Sequence, residues 1–215
     1  MAVSWPARLG GQGGLRHPRA ARWIRIVQAV LGPRLLLKVT AGSLTARDQV
    51  ETFDRLFERH ERQIFGYLWR TTGDQGLASD LCQETFLRAW QHAEQLAAYR
   101  DPVGWLFRVA TNLALNAQRG RQRLLRLVVP LDGEDGPTSA DPAGSIVDAE
   151  LVHRILQELS PRARAALVLR EVYDLSLEEV AQTVGASPAA TKKMLSRARE
   201  QFRARYLREG AGDES

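Results

Sequence analysis

Residues 176–199, SLEEVAQTVGASPAATKKMLSRAR, decide the fold class of this 215-residue chain. Ser176 and Glu179 stand three positions apart, which is the spacing of a capping box at a helix start. Gly185 supplies the positive φ that a tight turn between two helices commonly needs. Ser187, which is followed by proline, is a typical cap for a second helix. The stretch therefore predicts two short helices around a turn, the outline of a helix-turn-helix DNA reader.

The second of these helices is strongly basic. Its basic residues between positions 192 and 208 are Lys192, Lys193, Arg197, Arg199, Arg203, Arg205 and Arg208. A single acid, Glu200, interrupts them. Such a helix suits DNA phosphates, although an ordinary two-helix corner with a solvated basic face would give the same pattern.

Composition and charge exclude several classes of protein. The formal net charge is +5, but residues 1–47 hold eight Arg or Lys residues and no acid, so the rest of the chain is slightly acidic. A DNA-binding function must therefore depend on local basic patches. The single cysteine, Cys82, excludes an internal disulfide and a multi-cysteine zinc site, and it fits a reducing cytoplasm. No apolar run reaches the length of a membrane span, so we expect a cytoplasmic protein without membrane insertion.

The first 47 residues are arginine-rich and free of acids. A targeting peptide, a disordered basic arm and a start codon placed upstream of a true start near Val39 all fit this composition. The segment lacks the apolar core and small-residue cleavage site of a signal peptide. We expect a basic N-terminal extension outside the folded domains.

Apolar residues recur at three- and four-residue spacing on both sides of a segment without any period. That segment, residues 128–144, is rich in proline, glycine, serine and acids, as linkers are. The predicted fold is all-α, with two small helical domains joined by a flexible linker. The predicted boundaries are 1–47 for the extension, 48–123 for the first domain, 124–147 for the linker, 148–208 for the second domain and 209–215 for a polar tail.

Two helical segments of the first domain carry a polar face opposite their packing stripe. In residues 78–90, ASDLCQETFLRAW, acids and amides surround an outward leucine, which is typical of a docking surface but also of a solvated face. In residues 102–123, arginine, asparagine and Trp105 share one face. Such side chains hold unpaired DNA through phosphates, base edges and stacking, although Trp105 would equally fit the core. Cys82 is expected to be a small buried hydrophobe.

Several motifs occur together in a fixed order. They are residues 78–90, the segment WLFRVATN at residues 105–112, the acidic linker, and LQELSPRARAALVLREVYDLSLEEVAQTVGASPAATKKMLSRAR at residues 156–199. Together they resemble bacterial extracytoplasmic-function (ECF) sigma factors of the sigma-70 family, over about residues 50–208. The resemblance implies that the first domain is sigma region 2 and the second is region 4. It also implies a promoter-specificity subunit that recognises the minus-35 element and melts the minus-10 element, with no cofactor.

The resemblance implies partners and contact residues as well. The partners are core RNA polymerase, through its beta-prime clamp helices and beta flap, promoter DNA, and an anti-sigma factor. The predicted polymerase-binding residues are Asp80, Gln83, Glu84 and Arg88. The predicted minus-10 DNA-binding residues are Tyr99, Arg100, Trp105, Arg108, Asn112, Asn116, Arg119 and Arg123. The predicted minus-35 DNA-binding residues are Ser187, Ala189, Ala190, Thr191, Lys192, Lys193, Arg197 and Arg199.

Two departures from the family pattern bear on which bases are read. Asn116 stands where the family usually has Asp. Residues 189–195 read Ala-Ala-Thr-Lys-Lys-Met-Leu, where the family often has Gly-Thr-Val-Lys-Ser-Arg-Leu.

The alternative function is a helix-turn-helix regulator that binds duplex DNA without being a polymerase subunit. Such a regulator needs a dimerisation surface and a sensor domain, and the first domain indicates a docking helix instead. An enzyme is not expected, because the four histidines have no ligand spacing and no phosphate-binding loop follows a strand. For the same reasons we expect neither a catalytic residue nor a bound metal.

Overall fold

The computed structural model of the chain describes residues 46–93, 96, 101–127 and 146–210. Within these ranges the secondary structure is helical and contains no strand, which confirms the all-α prediction. The helices are α1 (Ala46–Thr72), α2 (Gln75–Gln91), α3 (Pro102–Leu127), α4 (Ile146–Glu158), α5 (Pro161–Glu171), α6 (Leu177–Val184) and α7 (Pro188–Gly210). Most of the predicted extension, linker and tail lies outside the described residues. The linker boundaries stay a prediction, although α3 and α4 enter the predicted linker from both sides.

The chain divides into two compact units between Arg59 and His60, inside α1. In the described part of the first unit, Phe53 and Phe57 are buried and their rings stack with centroids 6.2 Å apart. Asp54 lies between them in the sequence, and its pKa is raised by burial and by the neighbouring Glu58 carboxylate. This part of α1 therefore contributes an apolar face, as its spacing predicted.

An aromatic pair forms the centre of the predicted first domain, in the part that belongs to the unit of residues 60–215. Tyr67 of α1 and Phe107 of α3 are buried, and their rings meet edge to face at 5.3 Å. The Thr111 hydroxyl donates to the Phe107 carbonyl at 2.7 Å, so the Tyr67 hydroxyl is the donor in its 2.6 Å bond to Thr111 Oγ1. Burial raises the pKa of Tyr67 because this apolar site disfavours a phenolate. The polar atoms are thus satisfied, and α1 is fixed against α3.

Aspartate side chains cap the starts of α2 and α3. Asp101 Oδ1 accepts hydrogen bonds from the Val103 and Gly104 amides at 3.0 and 3.1 Å, so Asp101 caps α3 and proline is its first residue. Asp74 caps α2 by accepting from the Leu77 amide at 2.9 Å. These caps satisfy amides that have no partner within their own helix. They set the first residue of the two helices that carry the predicted region 2 surfaces.

Within the unit of residues 60–215, helices of the predicted second domain (residues 148–208) pack directly against helices of the predicted first domain (residues 48–123). Helix α3 contacts both α5 and α6. On another side, the His153 ring of α4 stacks on Trp69 of α1 with centroids 5.1 Å apart. Burial lowers the pKa of His153, and the nearby cations of Arg164 and Arg70 lower it further. A hydrogen bond to the Gly73 backbone raises this pKa but is outweighed. The sequence predicted two domains on a linker, and the structure adds a contact between them.

The lowered pKa of His153 makes the stability of this contact depend on pH. The unfolded chain protonates this histidine near its ordinary pKa of 6.5, whereas the folded chain keeps it neutral to lower pH. The contribution of His153 to stability is therefore present above the unfolded pKa and is lost as the pH falls through the folded pKa. We expect the free energy of unfolding to drop between about pH 7.5 and about pH 5.5, and to drop less in His153→Phe, which keeps a ring on Trp69.

Urea unfolding at both pH values checks this prediction. His92, an exposed residue at the end of α2, supplies the control His92→Phe. An equal pH dependence in wild type and His153→Phe would contradict it.

Candidate protein-docking and nucleic-acid interfaces

Helix α2 has a buried face and an exposed polar face. Its buried side chains are Ala78, Cys82, Thr85, Phe86 and Ala89. On the opposite side Asp80, Gln83 and Arg88 are exposed, and Glu84 is partly exposed. Arg88 Nε donates to Glu84 Oε1 at 2.8 Å, an i,i+4 pair that balances both charges. Asp80 therefore supplies the net negative charge of this surface, which carries the predicted polymerase-binding residues.

Cys82 faces the interior, as expected from its spacing. Its Sγ lies 3.9 Å from the Glu61 carbonyl oxygen of α1. Burial raises the pKa of the Cys82 thiol to about 12, and the Glu61 carboxylate adds to the rise. The thiol is therefore protonated at neutral pH and acts as part of the core.

Helix α3 presents a cationic stripe. It contains five arginines and no acid. The exposed predicted minus-10 residues are Arg108, Asn112, Asn116, Arg119 and Arg123. Arg119 Nη1 donates to Asn116 Oδ1 at 3.1 Å, so these two side chains act as a unit. A helix face of arginines and amides without competing carboxylates suits a DNA strand.

The aromatic residues predicted near this stripe have different positions. Trp105 is half-buried, and its ring lies 5.8 Å from the His92 ring. It is therefore neither fully in the core nor fully available for stacking. Tyr99 and Arg100 lie outside the described residues.

The helix-turn-helix has the local geometry that its sequence predicted. Ser176 Oγ accepts from the Glu179 amide at 3.2 Å, and Glu179 Oε2 accepts from the Ser176 amide at 2.7 Å. The Ser176 side chain and then its backbone amide lower the pKa of Glu179, because hydrogen bonds to the carboxylate favour its charged form. Gly185 ends α6 with φ 67°, and Ser187 Oγ caps α7 by accepting from the Ala190 amide at 3.2 Å. The capping box, the turn and the second cap are confirmed.

Most of the predicted minus-35 residues are exposed at the start of α7. They are Ser187, Ala189, Ala190, Lys192, Lys193 and Arg197. Arg199 is also exposed, but its guanidinium already binds Glu171 Oε1 of α5 at 2.7 and 3.0 Å. DNA would have to replace this carboxylate to use Arg199.

Thr191 requires a correction. It is 0% exposed, and its hydroxyl lies in the helix-turn-helix core without a hydrogen-bond partner among the described residues. The Thr191 side chain therefore packs inward and is not part of the exposed reading surface. The family pattern contains the signal for this burial, because it has valine at the corresponding position.

Two side chains that the sequence did not single out lie beside the predicted DNA-binding residues. Gln182 of α6 accepts from Arg108 Nη2 of α3 at 3.4 Å. Tyr173, between α5 and α6, packs its ring on Phe107 at 4.9 Å. No local period points to either contact, because each joins residues that are more than sixty positions apart.

The described part of the chain gives no sign of a metal site. No group of three or more His, Cys, Asp or Glu side chains is arranged there to hold an ion. None of the helices within the described ranges is long and apolar enough to span a membrane.

Comparison with known families and proteins agrees with this arrangement. Sigma-70 region 2 matches residues 56–124, and sigma-70 region 4 matches residues 149–202. The ECF RNA polymerase sigma factor SigM of Bacillus subtilis is 30% identical over 164 residues, which cover 76% of this chain and 99% of SigM. SigG of Mycobacterium tuberculosis, another ECF sigma factor, is 33% identical over 197 residues, which cover 78% of this chain. The present chain spans about half of SigG, namely 52% of its length.

A solved structure supports the fold. The sigma factor RpoE of Bartonella quintana, crystallised with the anti-sigma factor NepR, superimposes with a TM-score of 0.65 at 22% identity. The match covers 72% of this chain and 96% of RpoE. At this identity the likeness concerns the helical architecture.

The capping box gives a stability prediction. Ser176→Ala leaves the Glu179 amide without its partner at the start of α6, so we expect a loss of about 1 kcal/mol in the free energy of unfolding. The matched control is Ser196→Ala, an exposed serine inside α7, which should be neutral or slightly stabilising. Urea unfolding followed by circular dichroism measures both. Equal effects of the two substitutions would show that the cap does not support the fold.

Proposed function

This chain belongs to the ECF sigma factors of the sigma-70 family, and from that premise we propose that it is a dissociable promoter-specificity subunit of RNA polymerase. The observation that supports the proposal is the order of three exposed surfaces along one chain. A polar face on α2 is followed by a cationic stripe on α3 and by a helix-turn-helix in α6 and α7. The chain would direct chemistry that core polymerase performs, and would have no catalytic residues of its own.

The α2 face is the proposed docking site for the beta-prime clamp helices of core polymerase. Asp80 and Gln83 are exposed and lie one turn apart, and the paired Glu84 and Arg88 extend the same surface. The opposite face of α2 is buried, so this surface can be covered by a partner without disturbing the core. The beta flap is the proposed partner of region 4.

The α3 stripe is the proposed holder of the melted minus-10 strand. Its arginines neutralise phosphates, and Asn112 and Asn116 offer amide groups to base edges. Holding an unstacked base offsets the few kcal/mol that melting costs. The start of α7 would enter the minus-35 major groove, so that two weak contacts on one chain act together through effective concentration.

We also propose an anti-sigma factor as the regulatory partner, and the cytoplasm as the place of action. Two solved structural relatives support this class of partner: RpoE was solved in complex with NepR, and CnrH, which has a TM-score of 0.50, in complex with the cytosolic domain of CnrY. A helix-turn-helix regulator that acts without polymerase is less favoured, since region 2 precedes region 4 in this chain.

Reversing the charge of the α2 face tests polymerase docking. We expect Asp80→Arg combined with Glu84→Arg to abolish co-purification with core polymerase, because two acids of the surface become cations. Both positions are at least partly exposed, so the free energy of unfolding should change by less than about 1 kcal/mol.

The matched control for docking is Glu150→Arg, an exposed acid on α4. It should leave co-purification unchanged. A folded double variant that still co-purifies with core polymerase would refute the assignment of the α2 face.

Two positions on α7 separate base reading from phosphate binding. Lys192 lies near the start of the recognition helix, and Arg197 lies more than one turn further along. We expect Lys192→Ala to cost roughly 1–3 kcal/mol on promoters with the correct minus-35 element and little on scrambled ones. Arg197→Ala should weaken all sequences alike and lower the salt slope by about one.

A series of minus-35 mutant promoters at two salt concentrations measures both effects. Losses that are independent of sequence for both variants would refute base reading by Lys192.

A further inference from the structure

One of the predicted minus-35 residues, Arg199, is already held by a carboxylate of the same domain. We propose that Glu171 sets the strength of the minus-35 contact by competing with a DNA phosphate for the Arg199 guanidinium. This role rests on the proposed function, because it concerns the affinity of the proposed recognition helix for duplex DNA. The ion pair itself lies within region 4, between α5 and α7.

The geometry of this pair places the carboxylate where a phosphate would bind. Arg199 Nε and Nη2 both donate to Glu171 Oε1, at 3.0 and 2.7 Å. These two nitrogens form one edge of the planar guanidinium, and arginine uses such an edge for carboxylates and phosphates alike. A phosphate that approached the remaining donors would still meet the repulsion of the nearby carboxylate. Glu171 and a phosphate therefore compete for Arg199.

Arg199 lies on the face of α7 that also carries Lys192. Seven residues separate the two positions, which is about two helical turns, or about 10 Å along the helix axis. Lys192, Lys193 and Arg197 have no hydrogen-bond or ion-pair partner among the residues that the structure describes. Within that part of the chain, three of the four predicted minus-35 cations are thus free for DNA, and Arg199 is already paired.

Glu171 has an unfavourable position in its own helix. It is the last residue of α5, where the negative end of the helix dipole disfavours a carboxylate. The Arg199 cation offsets this repulsion, so the pair explains the placement of the acid better than α5 does. Both side chains are about half-exposed, 51% for Arg199 and 48% for Glu171, and DNA can reach them. A pair exposed to this degree is weak, so we expect the competition to lower DNA affinity by about threefold.

A minus-35 contact that is weak by itself suits a dissociable subunit. The proposed function needs two weak DNA contacts that act together through effective concentration. Additional phosphate contacts would hold the free chain on any duplex, because such contacts carry no sequence information. By weakening one phosphate contact, Glu171 favours DNA binding by the assembled polymerase complex over DNA binding by the free chain.

The substitution Glu171→Gln tests the competition, because it removes the charge and keeps the size of the side chain. The full-length chain is titrated into a fluorescent duplex that carries the minus-35 element and into a scrambled duplex, each at two salt concentrations. We expect Glu171→Gln to bind both duplexes about threefold more tightly than the wild type, because a phosphate contact is independent of sequence. The gain should shrink at the higher salt concentration.

Asp174→Asn is the matched control. Asp174 is an exposed acid near the same helix end, without an ion-pair partner among the described residues, and asparagine tolerates its φ of 55°. This variant removes the same charge but releases no arginine, so its gain in affinity should be smaller than that of Glu171→Gln. In an Arg199→Ala background the two substitutions should have equal effects, because no guanidinium is left to compete for. Circular dichroism confirms that each variant is folded.

Equal gains from Glu171→Gln and Asp174→Asn in the chain that keeps Arg199 would overturn the inference, because they would show a general effect of charge. An excess gain from Glu171→Gln that persists without Arg199 would overturn it as well, and so would chains that bind neither duplex. Failure of the chain to join core polymerase would instead count against the proposed function, because the titration uses no polymerase.

Discussion

The carbonyl oxygen of Thr71 is the point on which the packing of the second unit depends. It accepts one hydrogen bond from Gln118 Nε2 of α3 and one from Arg164 Nη1 of α5, each at 2.7 Å. Thr71 is 2% exposed, so water cannot replace either donor without opening the contact. The Thr71 hydroxyl is satisfied within α1 by the Tyr67 and Leu68 carbonyls. One helix end thereby fixes the positions of α3 and α5, and with them the orientation of the cationic stripe.

Local signals in the sequence predicted the helices that carry the candidate surfaces and the starts of α6 and α7. The capping box at Ser176, the left-handed Gly185 and the cap at Ser187 depend on neighbours within four residues, which a sequence pattern contains. Arg164 and Tyr173 could not be predicted in this way. Arg164 is one of two alternating arginines after Ser160, a pattern typical of a solvated face, and its burial depends on a carbonyl 93 positions away. The inward position of Thr191 could be foreseen only from the family's valine.

The same distinction holds for the candidate surfaces. Periodicity separated the exposed side of α2 from its buried side, and it grouped the arginines and asparagines of α3. It could not indicate which charges are already paired. Arg199 with Glu171, Arg205 with Glu158 and Arg154 with Glu209 form ion pairs of 2.7–2.8 Å that connect α7 to α5 and α4. Because these pairs are largely solvent-exposed and therefore weak, phosphate can compete for their arginines at little cost.

The burial of Cys82 determines whether oxidants and electrophiles can react with the thiol of the folded chain. Thiol oxidation, nitrosation and alkylation all proceed through the thiolate, and the pKa of about 12 leaves almost none of it at neutral pH. Cys82 is the single sulfhydryl in the sequence. A thiol-specific oxidant or electrophile therefore has no reactive thiol to modify on the folded chain. A stimulus of that kind would have to act on a different molecule and reach this chain as a change in binding.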